Sequence, residues 1–286
     1  RQSGIYAREG VDLERSTLAD WVGHSAALLG PLVAALRKEV MASDVVHGDD
    51  TPVPVLAPGL GKTKTGRLWA YVRDGRPCGS TSPPAAAYFY SPDRKGEHPQ
   101  SHLKSFKGVL HADGYAGFNA VFETGRVTEA ACWAHARRKV EESLEANGKN
   151  AAWYLREIQK LYQVEAKARG NNYTHEQRGA LRAAESRPIL EEIKKHLDAD
   201  VNNPAILPSS PLGKALNYIR ERWQYLEAYA ADGNGEVEID NNEVENAIRP
   251  TAVGKKNWLF IGHPQAGKNS AIIYTIIENC RMWEIN

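Results

Sequence analysis

Three acidic positions in this sequence could carry out metal-dependent chemistry. Asp49, with Asp50 beside it, and Asp113 each follow a short apolar run that is typical of a β-strand. Glu245 lies later in the chain, in a stretch with the spacing of an α-helix. If the two strands lie side by side, both aspartates meet at one edge of a sheet, and a packed helix can bring the glutamate to them.

Carboxylates crowded in this way favour bound cations. Two unit charges about 4 Å apart repel by about 4 kcal/mol at an effective dielectric of about 20, so three carboxylates together need a counter-charge. Oxygen ligands favour Mg²⁺ or Mn²⁺, and a pair of such ions can hold the attacking and leaving oxygens of a phosphodiester displacement. The pattern indicates nuclease or strand-transfer chemistry, but acids at strand ends are common and their spacing alone does not decide.

The stretch around Glu245 predicts a short helix with a defined start. Asp240 is a good N-cap, and Glu243 can complete a capping box with it, which leaves Glu245 free to face the sheet. Pro250 is expected to end or kink the helix. Arg249 lies four residues after Glu245, at a spacing where the two side chains can meet.

The remaining pattern predicts a mixed α/β fold. A helix is expected over 16–40 with a break at Gly30 and Pro31, and residues 44–91 read as a three-stranded meander in which Pro52 and Pro54 argue against a central strand. Other strands are predicted at 108–113, 127–131 and 257–261, and helices at 99–105, from 132 onward and at 269–283.

Strand patterns disappear between residues 143 and 235, where apolar residues recur at helical spacing. The predicted organisation is a helical lead-in at 1–43, an α/β core formed by 44–142 and 236–286, and an all-helical insertion at 143–235. The core is a mixed sheet flanked by helices, and the insertion precedes the last catalytic helix.

Composition sets limits on partners and location. The 36 Lys and Arg residues nearly balance the 35 Asp and Glu residues, so any DNA-binding surface must be a local patch. Three cysteines favour reduced thiols over a disulfide framework. With no run of about 18 apolar residues and no apolar leader, we expect a soluble cytoplasmic protein without a membrane partner. Because the sequence opens at Arg1 without methionine, we also expect it to be part of a longer chain.

Six motifs together closely resemble the transposases of the insertion sequence 66 family. In order along the chain they span residues 46–55, 61–69, 111–117, 132–138, 240–245 and 254–260. The resemblance runs from about residue 10 to residue 283.

The resemblance implies an RNase H-like core with a DDE acid triad, which cuts transposon ends and joins the freed 3′-OH to target DNA using Mg²⁺, with Mn²⁺ as a substitute. Carried over by motif, the catalytic and metal-binding triad is Asp49, Asp113 and Glu245. Asp50 stands where the family usually has Glu, which leaves open whether Asp49 or Asp50 faces the metal; the motif position favours Asp49. Expected partners are transposon-end and target DNA, further copies of the chain and accessory transposition proteins.

Several basic residues are candidate contacts to DNA phosphate. Taken singly, such residues are more often part of a solvated surface. They are Lys62, Lys64, Arg67, His135, Arg137, Arg138, Arg249, Lys255 and Lys256.

Two other motifs were weighed and set aside. Residues 262–269 are close to a phosphate-binding loop, but Asn269 replaces the Ser or Thr that would hold Mg²⁺. Cys132 and His135 have the spacing of metal ligands, but no second pair stands nearby in sequence and zinc sites need three or four protein ligands. A helix start with Cys132 and Trp133 facing the core is therefore favoured.

Two alternatives to a transposase stay open from the sequence. One is an RNase H-like nuclease that cuts DNA without joining it. The other is a DNA-binding remnant of a transposase that no longer catalyses.

Overall fold

A five-stranded mixed sheet lies at the centre of the part of the chain described by a computed structural model, residues 2–57, 59 and 61–285 apart from the side chain of Asn147. The strands lie in the order β3-β2-β1-β4-β5. The antiparallel pairing of β1, β2 and β3 confirms the predicted meander, and β4 and β5 run parallel to β1. The strands are β1 (Val45–Ala57), β2 (Lys62–Arg73), β3 (Ala85–Ser91), β4 (Gly108–Ala112) and β5 (Val127–Ala131).

The helices of the described residues lie before, between and after these strands. They are α1 (Gln2–Arg8), α2 (Arg15–Met41), α3 (Glu97–His102), α4 (Asn119–Phe122), α5 (Trp133–Glu141), α6 (Leu144–Gly170), α7 (His175–Leu181), α8 (Arg187–Val201), α9 (Pro211–Glu221), α10 (Trp223–Leu226), α11 (Asn242–Trp258) and α12 (Pro264–Met282). Residues 143–235 thus hold α6 to α10. The division into lead-in, core and insertion stays a prediction.

Strand β1 is longer than the sequence pattern indicated. It continues past the two aspartates to Ala57, so the expectation that it ends there was wrong. Pro52 and Pro54 are tolerated because β4 pairs only with Val45–His47. The carbonyl of Pro54 accepts from the backbone N–H of Ile261, on the side away from β2, and the missing N–H of Pro54 faces the same open side.

Both expected proline breaks were also wrong. Helix α2 runs without interruption through Pro31, and α11 runs through Pro250 to Trp258. Pro31 is exposed, so water can satisfy the carbonyl that its ring leaves unpaired. The predicted strand at 257–261 is reduced to a single bridge between Ile261 and Val55, because α11 occupies its first residues.

Smaller boundary errors occur elsewhere. Helix α3 begins and ends earlier than the predicted 99–105, and α12 begins five residues before the predicted start at 269. Pro264 lies at the first helical position of α12, where its missing N–H costs nothing.

Side chains of β2 alternate between two cores on opposite faces of the sheet. Leu68, Ala70 and Val72 pack with buried residues of α11 and α12. Trp69 and Tyr71 pack on the other side with residues of α2, β3 and β4. A third core joins β5 and α5 to helices α6, α8, α9 and α10. The sheet therefore holds α11, the helix that carries Glu245, against one face.

Helix α2 is the one helix of the described residues that is long and apolar enough to cross a membrane, with a mean hydropathy of 1.2 over its best window. Mostly buried core helices and signal sequences meet the same criterion, and 11% of this window is buried. Helix α2 contacts β3 and α12, and Ala26, Val33 and Val40 are fully or almost fully buried. No membrane assignment follows from its composition.

A buried ionic network connects the helical region to the sheet. Glu165 of α6 accepts hydrogen bonds from Arg178 and Arg182, and Arg178 also donates to Glu238. These side chains are at most 6% exposed. Burial alone would raise the pKa of Glu238, but the guanidinium of Arg178 lowers it to about 2. The thiol of Cys78 donates to the same carboxylate.

We expect the Glu165→Gln substitution to lower the free energy of unfolding by about 3–5 kcal/mol, because it leaves two guanidinium groups buried with less counter-charge. Urea unfolding at neutral pH would measure the loss. Asp198→Asn, which breaks the exposed pair with Lys194 on α8, is the matched control and should have a much smaller effect. Equal losses in the two variants would contradict a stabilising role for the network.

Candidate active site

The edge of the sheet and the first turn of α11 bring Asp49, Asp113 and Glu245 into one electrostatic environment. Parallel pairing of Val45–His47 with Val109–His111 confirms that the first and fourth strands are neighbours. Burial, and then the negative charge of Asp113, raises the pKa of Asp49 to about 7; the charges of Asp50 and Glu245 contribute to this rise and the backbone N–H of Asp50 opposes it. The carboxylate of Asp49 thus lacks a compensating positive charge.

Asp50 has the opposite environment. It is adjacent to Asp49 on a strand, so its side chain points to the other face of the sheet. There Arg67 Nη1 lies 3.0 Å from Asp50 Oδ2, and Arg94 Nε donates to Asp50 Oδ1 over 2.9 Å. With both oxygens bound and its side chain 1% exposed, Asp50 is held in a structural ion pair. The geometry favours Asp49 as the free acid.

Asp113 is positioned by the turn that follows β4. Its Oδ1 accepts from the backbone N–H of Tyr115 over 3.2 Å, and Gly114 between them has a φ of +80°. The guanidinium of Arg94 lies 3.9 Å from the centre of the Tyr115 ring, and the Tyr115 hydroxyl donates to the Arg94 carbonyl. Arg94 therefore contacts both Asp50 and Tyr115, the residue that binds Asp113. The polar sequence around Arg94 gave no signal for this role.

A short segment before α11, residues 237–241, which we call the strap, is bound to the ends of β1 and β4. The Nδ1 atom of His47 lies 2.9 Å from Asn241 Oδ1, and Asn241 Nδ2 donates to the carbonyl of Gly48. The ring of His111 bonds to the carbonyl of Glu238 through Nε2. The rings of His47 and His111 stack at 5.1 Å. These contacts fix where α11 starts.

The predicted capping box at the start of this helix is absent. Helix α11 begins at Asn242, and Asp240 accepts a hydrogen bond from the backbone N–H of that residue instead of pairing with Glu243. The tertiary contacts of the strap hold the helix start without a side-chain cap. Burial, and then the charge of Asp74, raises the pKa of Glu243 to about 7. Glu243 lines a cavity away from the candidate site.

Glu245 lies beside His135 and not beside Arg249 as its spacing suggested. His135 Nε2 is 3.6 Å from Glu245 Oε1, whereas Arg249 lines the cavity that contains Glu243. One ligand atom each from Glu245, His135 and Cys132 lie within 4.8 Å of one another. Cys132 itself is buried at the start of α5, as expected from the sequence.

The predicted phosphate contacts fall into two groups. Some are already paired: Arg67 with Asp50, Arg137 with Glu141, and Lys255 with Thr51 and the carbonyl of Pro52. His135 is half-buried beside Glu245. The side chains that remain exposed are Lys62, Lys64, Arg138, Arg249 and Lys256. Their contact with DNA stays a prediction.

The donor set of the site fits a hard divalent cation. Asp49, Asp113 and Glu245 offer only carboxylate oxygens, the ligands that Mg²⁺ and Mn²⁺ prefer. The pKa of Asp49 is raised, and the buried Glu245 Oε1 has no hydrogen-bond partner among the described residues, so both groups can accept a cation. The chain is thus an α/β protein with a group of three acidic side chains that fits such an ion.

Comparison with known proteins gives this class a family. The sequence model described as Transposase IS66 family matches residues 1–269, so the chain belongs to the IS66 family of transposases. Three uncharacterized proteins of Sinorhizobium fredii (strain NGR234) are also similar. The protein y4hP is 35% identical over 303 residues, y4qI is 34% identical over 290 and y4jD is 33% identical over 289.

These matches cover 99–100% of this chain but only 53–55% of the Sinorhizobium proteins. The chain spans about half the length of the curated relatives it matches. The names of those relatives assign no activity to them.

Replacing each of the two neighbouring aspartates should change stability in opposite directions. The folded state raises the pKa of Asp49, so it binds a proton that the unfolded chain releases, and stability falls as pH rises from about 4 to about 7. Asp49→Asn should remove this slope and raise the free energy of unfolding by about 2 kcal/mol at pH 8 in EDTA. The gain should disappear near pH 4.

Asp50→Asn is the matched control in the same unfolding experiment. It should lower the free energy of unfolding by about 2 kcal/mol, since Arg67 and Arg94 lose their common counter-charge. If Asp49→Asn were as destabilising as Asp50→Asn, the assignment of Asp49 as the uncompensated acid would be wrong.

Proposed function

We propose that this chain is the catalytic domain of a DDE transposase with an RNase H-like core, which cuts transposon DNA ends and transfers the 3′-OH into target DNA. The observation that carries the proposal is the crowding of Asp49, Asp113 and Glu245 in a member of a transposase family. A five-stranded sheet of this order, with two antiparallel and two parallel strand pairings, supports the core assignment.

In this proposal Asp49, Asp113 and Glu245 hold the divalent cations. Bound Mg²⁺ or Mn²⁺ would supply Lewis-acid stabilisation of the phosphodiester and activation of the attacking oxygen. Asp49 and Asp113 lie on the rigid sheet edge. Glu245 must turn from His135 toward them, and its side chain, which is 32% exposed, leaves freedom for that movement.

The two chemical steps need no covalent link to the protein. Water attacks the phosphorus at the transposon end and releases the element's 3′-OH. That oxygen then attacks a target phosphodiester and displaces the target's own 3′-oxygen. The paired Asp50, Arg67 and Arg94 hold the strand that carries Asp49, and the strap holds α11, so the protein contributes mainly fixed positions for the acids.

The alternatives are a nuclease that cuts without joining and an inactive DNA-binding remnant. The proposal includes binding to transposon-end and target DNA, assembly with further copies of the chain, accessory transposition proteins and a cytoplasmic location. These remain proposals because the chain spans about half the length of its relatives. Incubation of the chain with a pre-cut end oligonucleotide, target DNA and Mn²⁺ separates the three functions. Joined products support the transposase, cleavage alone supports the nuclease, and binding alone supports the remnant.

Glu245→Gln should reduce cleavage and joining at least about 100-fold, because a metal ion contributes several kcal/mol to such reactions. Glu243→Gln is the matched control, since it removes a carboxylate two residues away on the same helix turn and should retain activity. Product formation on labelled oligonucleotides measures both. Comparable losses in the two variants would remove Glu245 from the triad.

DNA binding by exposed basic residues can be tested through its salt dependence. Lys62→Ala and Arg138→Ala should each reduce the slope of log affinity against log salt concentration by about 1 if the side chain touches phosphate. Fluorescence anisotropy with duplex DNA would give the slopes. Lys194→Ala, on α8 and paired with Asp198, should leave the slope unchanged, and an unchanged slope in Lys62→Ala or Arg138→Ala would assign that residue to the solvated surface.

A further inference from the structure

The cluster of Cys132, His135 and Glu245 combines ligand types that the hard-metal triad lacks. Cys132 precedes α5, His135 lies in the first turn of that helix, and Glu245 comes from the first turn of α11. One ligand atom of each residue lies within 4.8 Å of the other two. Sequence spacing showed only the first two residues, and the packing of α11 supplies the third.

We propose that these three side chains form a binding site for a thiophilic divalent cation such as Zn²⁺, and that occupancy of this site withdraws Glu245 from the acid triad. Thiolate, imidazole and carboxylate are the protein ligands of zinc, whereas Mg²⁺ and Mn²⁺ favour oxygen ligands alone. Three protein ligands with water in the fourth position would complete a tetrahedral site.

The geometry requires little rearrangement. Tetrahedral coordination at roughly 2.0–2.3 Å separates neighbouring ligand atoms by roughly 3.5 Å. His135 Nε2 and Glu245 Oε1 are already 3.6 Å apart. The remaining ligand atoms lie at most 4.8 Å apart, so they need to approach by roughly 1.3 Å at most, which rotation of the half-buried His135 and Glu245 side chains can provide.

An unpaired polar atom at the cluster favours a ligand there. Glu245 Oε1, the atom that faces His135 Nε2, is buried and has no hydrogen-bond partner in the described residues. The sulfur of Cys132 accepts from the backbone N–H of Asn241 over 3.3 Å, which offsets part of the rise in the pKa of this thiol that burial causes. Binding exchanges one proton for the metal: the S–H bond breaks, the S–Zn bond forms, and the proton passes to water.

The consequence for activity rests on the proposed function. Because Glu245 must turn away from His135 to complete the triad, a Glu245 side chain that binds zinc with Cys132 and His135 is out of position for a cation held by Asp49 and Asp113. Zinc would therefore inhibit DNA cleavage by competing for Glu245 and not by occupying the aspartates. The binding site itself does not depend on the reaction that the triad catalyses.

Cobalt is a suitable probe, because Co²⁺ replaces Zn²⁺ and reports a thiolate ligand through its charge-transfer absorption. Titrating the whole chain with Co²⁺ should produce visible d–d bands and a sulfur-to-cobalt band that zinc abolishes. Cys132→Ser should remove the sulfur band, and His135→Ala should weaken cobalt affinity more than about 10-fold. Cys280→Ser, which removes a thiol outside the cluster, should leave the spectrum unchanged. Circular dichroism would verify that each variant is folded.

The metal site would be overturned if the wild-type chain showed no sulfur-to-cobalt band. It would also be overturned if Cys280→Ser lost the band and Cys132→Ser kept it. Both results hold whether or not the chain is active.

In the Mn²⁺-dependent cleavage assay, zinc should inhibit the wild type at concentrations that leave Cys132→Ser at its own uninhibited rate. Equal inhibition of both would overturn the sharing of Glu245. A cobalt signal in a chain that cleaves no DNA would refute the proposed function and retain the metal site.

Discussion

The short parallel pairing between β1 and β4 is the constraint on which the candidate site depends. Only three residue pairs form it, and they bring Asp49 and Asp113 to the same edge of the sheet. The same register stacks His47 on His111, and the strap that leads into α11 bonds to both rings. The position of Glu245 is therefore tied to the register of two strands that lie far from it in sequence.

Two neighbouring acids of β1, Asp49 and Asp50, have different environments, one suited to binding a cation and the other to stabilising the fold. Asp50 is neutralised by two guanidinium groups and contributes to the fold, whereas Asp49, one residue earlier, is half-buried and has no guanidinium beside it in the described residues. The strand period of two places them on opposite faces, so both requirements are met at adjacent positions. An acid whose charge is not balanced by a nearby cation is typical of a functional site. Burial alone does not leave an acid in this condition, because Glu165 is fully buried and is paired with two arginines.

Local sequence patterns located the five strands of the sheet and most helices, since alternation and helical spacing arise from burial on one face, although β1 runs further than expected and the strand expected at 257–261 is a single bridge. They failed where distant contacts override local rules. Asp240 looked like a cap, but the strap fixes the start of α11, and Pro250 looked like an end, but the packing of α11 on the sheet carries the helix past it. The family motifs identified the three acids. The spacing of residues in the sequence predicted neither the bond from Arg94 to Asp50 nor the approach of His135 to Glu245, because each contact joins separate elements.

The strap lies far along the chain from His47, the β1 residue that it binds, and this separation affects the order in which the candidate site forms during synthesis. The β1–β2 hairpin joins neighbouring segments and can form early, whereas the bond between His47 and Asn241 joins residues 194 positions apart. Domains fold from the N-terminal side as the ribosome releases them. On the proposed mechanism, a nascent chain contains the two aspartates before the third acid has been translated, so a polypeptide that ends before Glu245 lacks the complete triad.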